Sequence, residues 1–142
     1  MAITYYNEDI NFKFKGKLNT KRWIKAVAEA EGCVVGDIQI VFCSDKYILE
    51  TNNNYLSHNY YTDIITFDYC EQKGDKKLLM GDLIISVDTV TSNAAEYGVS
   101  AENELQRVII HGVLHLIGYP DKKPDEAVIM RAKEDKYLAI FQ

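Results

Sequence analysis

The sequence predicts an α+β fold: a single mixed β-sheet of four to five strands with packed helices, and a metal site at the end of a long helix. Three observations carry this expectation. Period-two and helical apolar patterns both occur, but they do not alternate regularly along the chain. The 142 residues hold only two prolines, Pro120 and Pro124, both in one short stretch, so no linker divides the chain and residues 1–142 read as one domain. The last third reads as helical, and its longest helix is stopped by a glycine that follows a histidine pair.

Taken in order, residues 2–6 (AITYY) and 10–14 (INFKF) are apolar or alternating and read as short strands. Asn19 or Thr20 is positioned to cap a helix reaching about Cys33, with Trp23, Ile24, Val27 and Ala28 on one face. Asp37 to Cys43 alternates, with Ile38, Ile40 and Phe42 on one side, and reads as a strand. Ser44 caps a helix over Asp45 to about Tyr55. Residues 63–69 (DIITFDY) are rich in β-branched and aromatic residues and read as a strand. The charged stretch Glu71 to Lys77 reads as a turn, and Leu78 to Val87 as the second strand of a hairpin. Residues 88–97 read as a helix ending before Gly98. Ser100 caps the long helix to Ile117, and a last amphipathic helix covers Asp125 to about Ile140.

Composition excludes several classes of function. Hydrophobic residues at 47% and charged residues at 26% are those of a folded globule, not a disordered chain. No apolar run approaches the roughly 20 residues of a bilayer span, and the N-terminus lacks the pattern of a secretory signal, so a cytoplasmic protein with no membrane partner is expected. Cys33, Cys43 and Cys70 are an odd, scattered set and read as reduced thiols. The net charge of −5 argues against gripping nucleic acid by charge alone. The balance is uneven, however: Lys13, Lys15, Lys17, Lys21, Arg22 and Lys25 fall in residues 11–26, which contain no acid, while the remainder carries 10 cations against 21 anions.

The chemistry-bearing stretch runs from His111 through His115 and Gly118 to Asp121. Two histidines four apart share one helix face, with Cβ atoms roughly 6 Å apart. Both imidazoles can therefore meet one ion at about 2.0–2.1 Å. Gly118 lets the chain turn back, and Asp121 can then close a third position. Three protein ligands with one open position describe a catalytic divalent-metal site, with zinc first and iron, nickel or manganese also suited to the donors. Such an ion acidifies a bound water, which can act as nucleophile or base. The zinc-peptidase pattern H-E-x-x-H is not met, because Gly112 stands where its glutamate would be. A peptidase would need a base from elsewhere, such as Glu102 or Glu126.

HGVLHLIGY, from His111 to Tyr119, resembles the signature of the YbeY family of metal-dependent endoribonucleases and ribosomal RNA maturation factors. Asn52 to Phe67 is similar to the family's Asn-rich helix end followed by its strand Thr62-Asp63-Ile64-Ile65-Thr66-Phe67, and Gly81 to Ser86 (GDLIIS) to a further family strand. The blocks come in family order and cover the chain from about residue 20. The resemblance implies precursor ribosomal RNA as substrate, internal phosphodiester hydrolysis as reaction, and a ribosomal subunit or ribosomal proteins as partners. It also implies two departures. The family's third ligand is usually a histidine ten positions after the first, where this chain has Asp121. Many members carry an arginine after the tyrosine of the Asn-rich block, where Tyr55 is followed here by Leu56; His58, two positions on, is polar and nearby and is the candidate for that catalytic role. Thr62 and Asp63 read as strand entry and hairpin support.

The basic segment suits an RNA contact. Lys13, Lys15 and Lys17 have strand spacing, Lys21 and Lys25 share a helix face, and Phe12, Phe14 and Trp23 are interleaved as candidates for base stacking or for the core. A different class of function remains open at this point: a non-catalytic assembly factor that binds ribosomal particles, its metal serving to hold the loop.

Overall fold

The computed structural model describes residues 2–56 and 62–141, with Tyr55 and Leu56 as backbone only; His58 lies outside the described residues. The elements run β1 (Ile3–Asn7), α1 (Lys17–Ala30), β2 (Cys33–Cys43), α2 (Asp45–Leu56), β3 (Ile64–Asp68), β4 (Glu71–Lys73), β5 (Lys76–Ser86), α3 (Val87–Tyr97), α4 (Ala101–Ile117) and α5 (Pro124–Leu138). This is the mixed α+β sheet that the sequence predicts. β5 lies at the centre, parallel to β2 on one side and antiparallel to β3 and β4 on the other, while β1 extends the sheet parallel to β2.

Alternation along the strands divides the apolar residues between the two faces. Ile38, Ile40, Phe42, Leu83, Ile85 and Ile64 face the main core, under α1, α4 and α5. Val41, Cys43, Ile65, Phe67 and Ile84 face a smaller core with Ile48 of α2. α4 is the central helix, apolar nearly all round because it is covered on nearly all sides. It sits close to the sheet because of two glycines. A Cβ at Gly112 would lie 2.7 Å from Ile64 Cδ1 and 2.9 Å from a Leu83 methyl. One at Gly81 would lie 2.3 Å from the Phe67 carbonyl and 2.9 Å from a Leu116 methyl.

Three expectations are corrected, and one left open between base stacking and core is decided for the core. Residues 10–14 form no strand: the alternation of Phe12 and Phe14 reflects rings inserting beside Phe42, at 4.9 and 5.3 Å between centroids, without a ladder partner. α1 begins at Lys17, before Asn19 and Thr20, and ends at Ala30, because Gly32 turns the chain at φ +73° and Cys33 already belongs to β2. The stretch from Glu71 to Lys77 is mostly strand, since only Gly74 and Asp75 are needed to reverse it. Trp23, Phe12 and Phe14 belong to the core and its margin; Trp23 is 4% exposed, and its Nε1 donates to the Tyr137 carbonyl at 2.8 Å.

The three thiols are free, two of them buried, and burial pushes Cys43 up to about 12 and Cys70 up to about 11. Neither is a nucleophile at neutral pH. No helix among the described residues is long and apolar enough to cross a membrane.

Candidate metal centre

The Ser100 hydroxyl caps α4 by accepting from the Asn103 N–H, and Gly118 ends the helix with φ +128°, a conformation in which a side chain would be strained. The following loop turns back over the last helical turn. Nε2 of His111 and Nε2 of His115 lie 3.0 Å apart, and Asp121 Oδ2 lies 3.1 Å from the first and 3.2 Å from the second. The three atoms form a nearly equilateral triangle. Bonds of about 2.0–2.1 Å give donor separations of roughly 3.4 Å in a tetrahedron and 3.0 Å in an octahedron. The observed edges fall between these, so the set can hold a divalent ion and does not by its spacing name one. All three predicted ligands are thus brought together.

Around them stands a shell of groups absent from the local motif. Glu134 of α5, only 5% exposed, accepts from His111 Nδ1 at 2.6 Å through Oε2. Its Oε1 accepts from Arg107 at 3.0 Å and from Arg131 at 3.4 Å. A proton held on Nδ1 leaves the His111 Nε2 lone pair facing Asp121 and His115, the tautomer a metal requires. Burial by itself would lower the His111 pKa, but the Glu134 hydrogen bond and charge, followed by Asp121 and Asp63, outweigh it and the net shift is upward. His115 moves down, through burial and then the neighbouring His111. Glu134 is also pushed up by burial, yet His111 and Arg107 carry it below the usual carboxylate range.

The sequence assigns Asp63 to hairpin support, and its carbonyl accepts from the Ser86 N–H of β5 at 2.9 Å. Its carboxyl, however, lines the same pocket as His111, Asp121, Glu104, Arg107 and Glu134, and burial raises its pKa. The sequence held a signal for Glu134. It lies on the buried stripe Met130–Glu134–Tyr137 of α5, where a carboxylate is out of place unless it is paired.

The Asp121 loop is anchored from behind. Glu31, at the end of α1, accepts from the Tyr119 hydroxyl at 2.5 Å, from the Tyr137 hydroxyl, and from Lys133 Nζ at 3.1 Å. Burial would raise the Glu31 pKa, but these three donors bring it below the ordinary glutamate value. A depressed folded pKa contributes stability above the unfolded value, near 4.5, that is lost as pH falls. Glu31→Gln is expected to cost about 1–3 kcal/mol at pH 7. The deficit should shrink below about pH 4.5, as read by urea unfolding at the two pH values.

The six basic residues do not join this pocket. All are exposed, but Lys13 and Lys15 border a groove beside Phe141, and Lys21 and Lys25 one beside Lys76. The strand spacing expected of Lys13, Lys15 and Lys17 fails because Lys17 opens α1. There it joins Lys21 and Lys25 at helical spacing, and the Lys17 and Lys21 ammonium groups lie 6.0 and 5.9 Å from the Tyr5 ring centre. Glu102 and Glu126, the bases a peptidase would need, are also elsewhere. Glu102 lines the groove beside Phe141, and Glu126 accepts from the Lys123 N–H at 3.0 Å at the start of α5.

The family profile described as Endoribonuclease YbeY matches residues 2–142. This chain belongs to that family. Relatives named Endoribonuclease YbeY include one from Parabacteroides distasonis, 54% identical over 141 residues, covering 99% of this chain and 96% of the relative. Another, from Bacteroides thetaiotaomicron, is 51% identical over 140 residues and covers 99% of both chains. A solution structure from Thermotoga maritima is 27% identical, with a TM-score of 0.66, covering 96% of this chain and 87% of that one. Membership of a YbeY family named for endoribonuclease activity favours neither the assembly-factor nor the peptidase reading.

Proposed function

We propose that this chain is a metal-dependent endoribonuclease that cuts precursor ribosomal RNA during ribosome maturation. It acts in the cytoplasm as one domain, with a ribosomal subunit or its proteins as partner. The observation that carries the reading is the triangle of His111 Nε2, His115 Nε2 and Asp121 Oδ2, with edges of 3.0–3.2 Å, at the end of a helix whose motif is the family's. These three residues are the ligands in this reading, and zinc is the first candidate by its affinity for two imidazoles and one carboxylate. A divalent ion held there polarises a phosphoryl oxygen and acidifies a water. Asp121 supplies one negative charge where the family usually has a neutral imidazole. Glu134 fixes the His111 ring and its tautomer. The half-buried Asp63 and the buried Glu104 line the same pocket and are the carboxyls available to take up a proton released during hydrolysis.

The test is metal analysis of the purified protein together with cleavage of a structured RNA, with and without chelator. His111→Ala is expected to lose both the bound ion and at least 99% of cleavage. Cleavage that survives this substitution at the wild-type rate would overturn the reading. The exposed stripe Lys17, Lys21 and Lys25 is the proposed outer RNA contact, with Lys13, Lys15 and Arg22 beside it. Changing the three stripe lysines to alanine should reduce the slope of log affinity against log salt by about two on single-stranded RNA.

A further inference from the structure

We propose that the pocket beside His111 and Asp121 seats one nucleotide flanking the cleaved bond, its base stacked on Tyr97 and its phosphate held by Arg131. This rests on the endoribonuclease reading and gives its substrate a defined place. The pocket lies between α3, α4 and α5 and measures about 250 Å³. That is below the roughly 300–1,000 Å³ of sites that enclose a whole small molecule, and it suits one unit of a passing polymer.

The pocket wall is acidic, through Asp63, Glu104, Asp121 and Glu134, so a polyanion needs a cation at the mouth to enter. Two arginines line it. Arg107 is committed, with Nη1 on Glu134 at 3.0 Å and Nη2 on Asp135 at 2.9 Å. Arg131 makes one 3.4 Å contact to Glu134, and its side chain is 59% exposed. Most of its five N–H donors therefore face solvent, in the fork that matches two phosphate oxygens.

The same lining offers a base platform. Tyr97, at the end of α3, is 59% exposed, and of the large apolar side chains exposed among the described residues it alone lines this pocket. An isolated exposed tyrosine needs no explanation; one that lines the same pocket as His111, Asp121 and a largely exposed guanidinium offers a face for a base beside a cation for its phosphate. Asn93, one turn earlier on α3, brings an amide to the same wall for the base edge. Stacking accepts any base, so this subsite positions the strand with little preference for sequence.

The test uses metal-loaded protein cutting a short single-stranded RNA. Tyr97→Ala should raise KM about tenfold and leave kcat within about twofold, while Tyr97→Phe retains the wild-type KM. An RNA with one abasic nucleotide next to the cut should show the same penalty on wild type and no added penalty on Tyr97→Ala. Arg131→Ala should flatten log(kcat/KM) against log salt by about 0.7, and Arg131→Lys should keep the slope. Lys46→Ala, an exposed change on α2 away from the pocket, controls for net charge. Metal content and melting temperature should match wild type throughout. Unchanged KM in Tyr97→Ala with an unchanged salt slope in Arg131→Ala overturns the subsite, as does an undiminished abasic penalty in Tyr97→Ala. In that case, loss of cleavage in His111→Ala still stands for the nuclease reading. Wild-type cleavage by His111→Ala would overturn that reading and the subsite together.

Discussion

Glu134→Gln should weaken metal binding about 10- to 100-fold at pH 8, the usual effect of removing the partner that orients a ligating histidine. The amide keeps the size of the carboxylate, and its oxygen can still accept from His111 Nδ1. What it lacks is the charge that makes Nε2 a better donor and that pairs with the partly buried Arg107. The loss should depend on pH, in a calculable direction. In the metal-free protein Glu134 raises the His111 pKa against the effect of burial, so wild type must release a proton that it holds more firmly before His111 can bind an ion. Glutamine removes that competition. The affinity deficit of Glu134→Gln is therefore largest above the His111 pKa and narrows as pH falls, which zinc titrations at pH 8 and pH 6 would detect. A deficit that widens toward pH 6 would contradict the argument.

The same pair affects metal-free stability. A histidine raised in the folded state contributes stability that is complete below its unfolded value near 6.5 and disappears as pH rises through the folded value. Glu134, depressed in the folded state, contributes above the unfolded glutamate value and loses that contribution in acid. His115, shifted downward, has the opposite dependence to His111 and is common to both proteins, so the difference between wild type and Glu134→Gln reports Glu134 with its partners His111, Arg107 and Arg131, of which only His111 titrates near neutral pH.

Local signals made part of this site legible. Ser100, the His111–His115 spacing, Gly118 and Asp121 all act within 22 residues of chain, and helix geometry with cap chemistry is enough to bring the last three together. Glu134 and Asp63 reach the same ring from α5 and from the residue before β3, and nothing in their own neighbourhoods specifies that meeting. Most helix ends marked by a side-chain cap or a positive-φ glycine are readable; α4 is bounded as expected by Ser100 and Gly118 and α3 ends as expected at Gly98, while the Ser86 cap of α3 lies inside the stretch that reads as strand. α1 has Gly16 at its start with no side-chain cap, so no local signal marks where it begins. At residues 10–14 period two was present without a strand, because alternation reports which side chains are buried and not whether the backbone has a ladder partner.

Gly112 carries the second large effect. On sequence grounds it mattered because it cannot act as a base, so Gly112→Glu, which would complete H-E-x-x-H, looks like a route to peptidase chemistry. The packing argues otherwise. The Cα of residue 112 faces the sheet, and even a methyl group there would overlap Ile64 and Leu83, which are packed in the main core. Gly112→Ala is expected to cost about 1–3 kcal/mol of overpacking, partly offset by about 1 kcal/mol of helix propensity. The melting temperature should then fall by several degrees. Gly112→Glu must place a carboxylate among Ile64 and Leu83 with no partner for its charge, and should give no soluble folded protein. The glycine that removes peptidase chemistry is thus the residue that lets α4 lie against β3 and β5, close enough for Asp63 to share a pocket with His111. If thermal unfolding of Gly112→Ala matched wild type, with cleavage intact, that link between the motif and the sheet would be wrong.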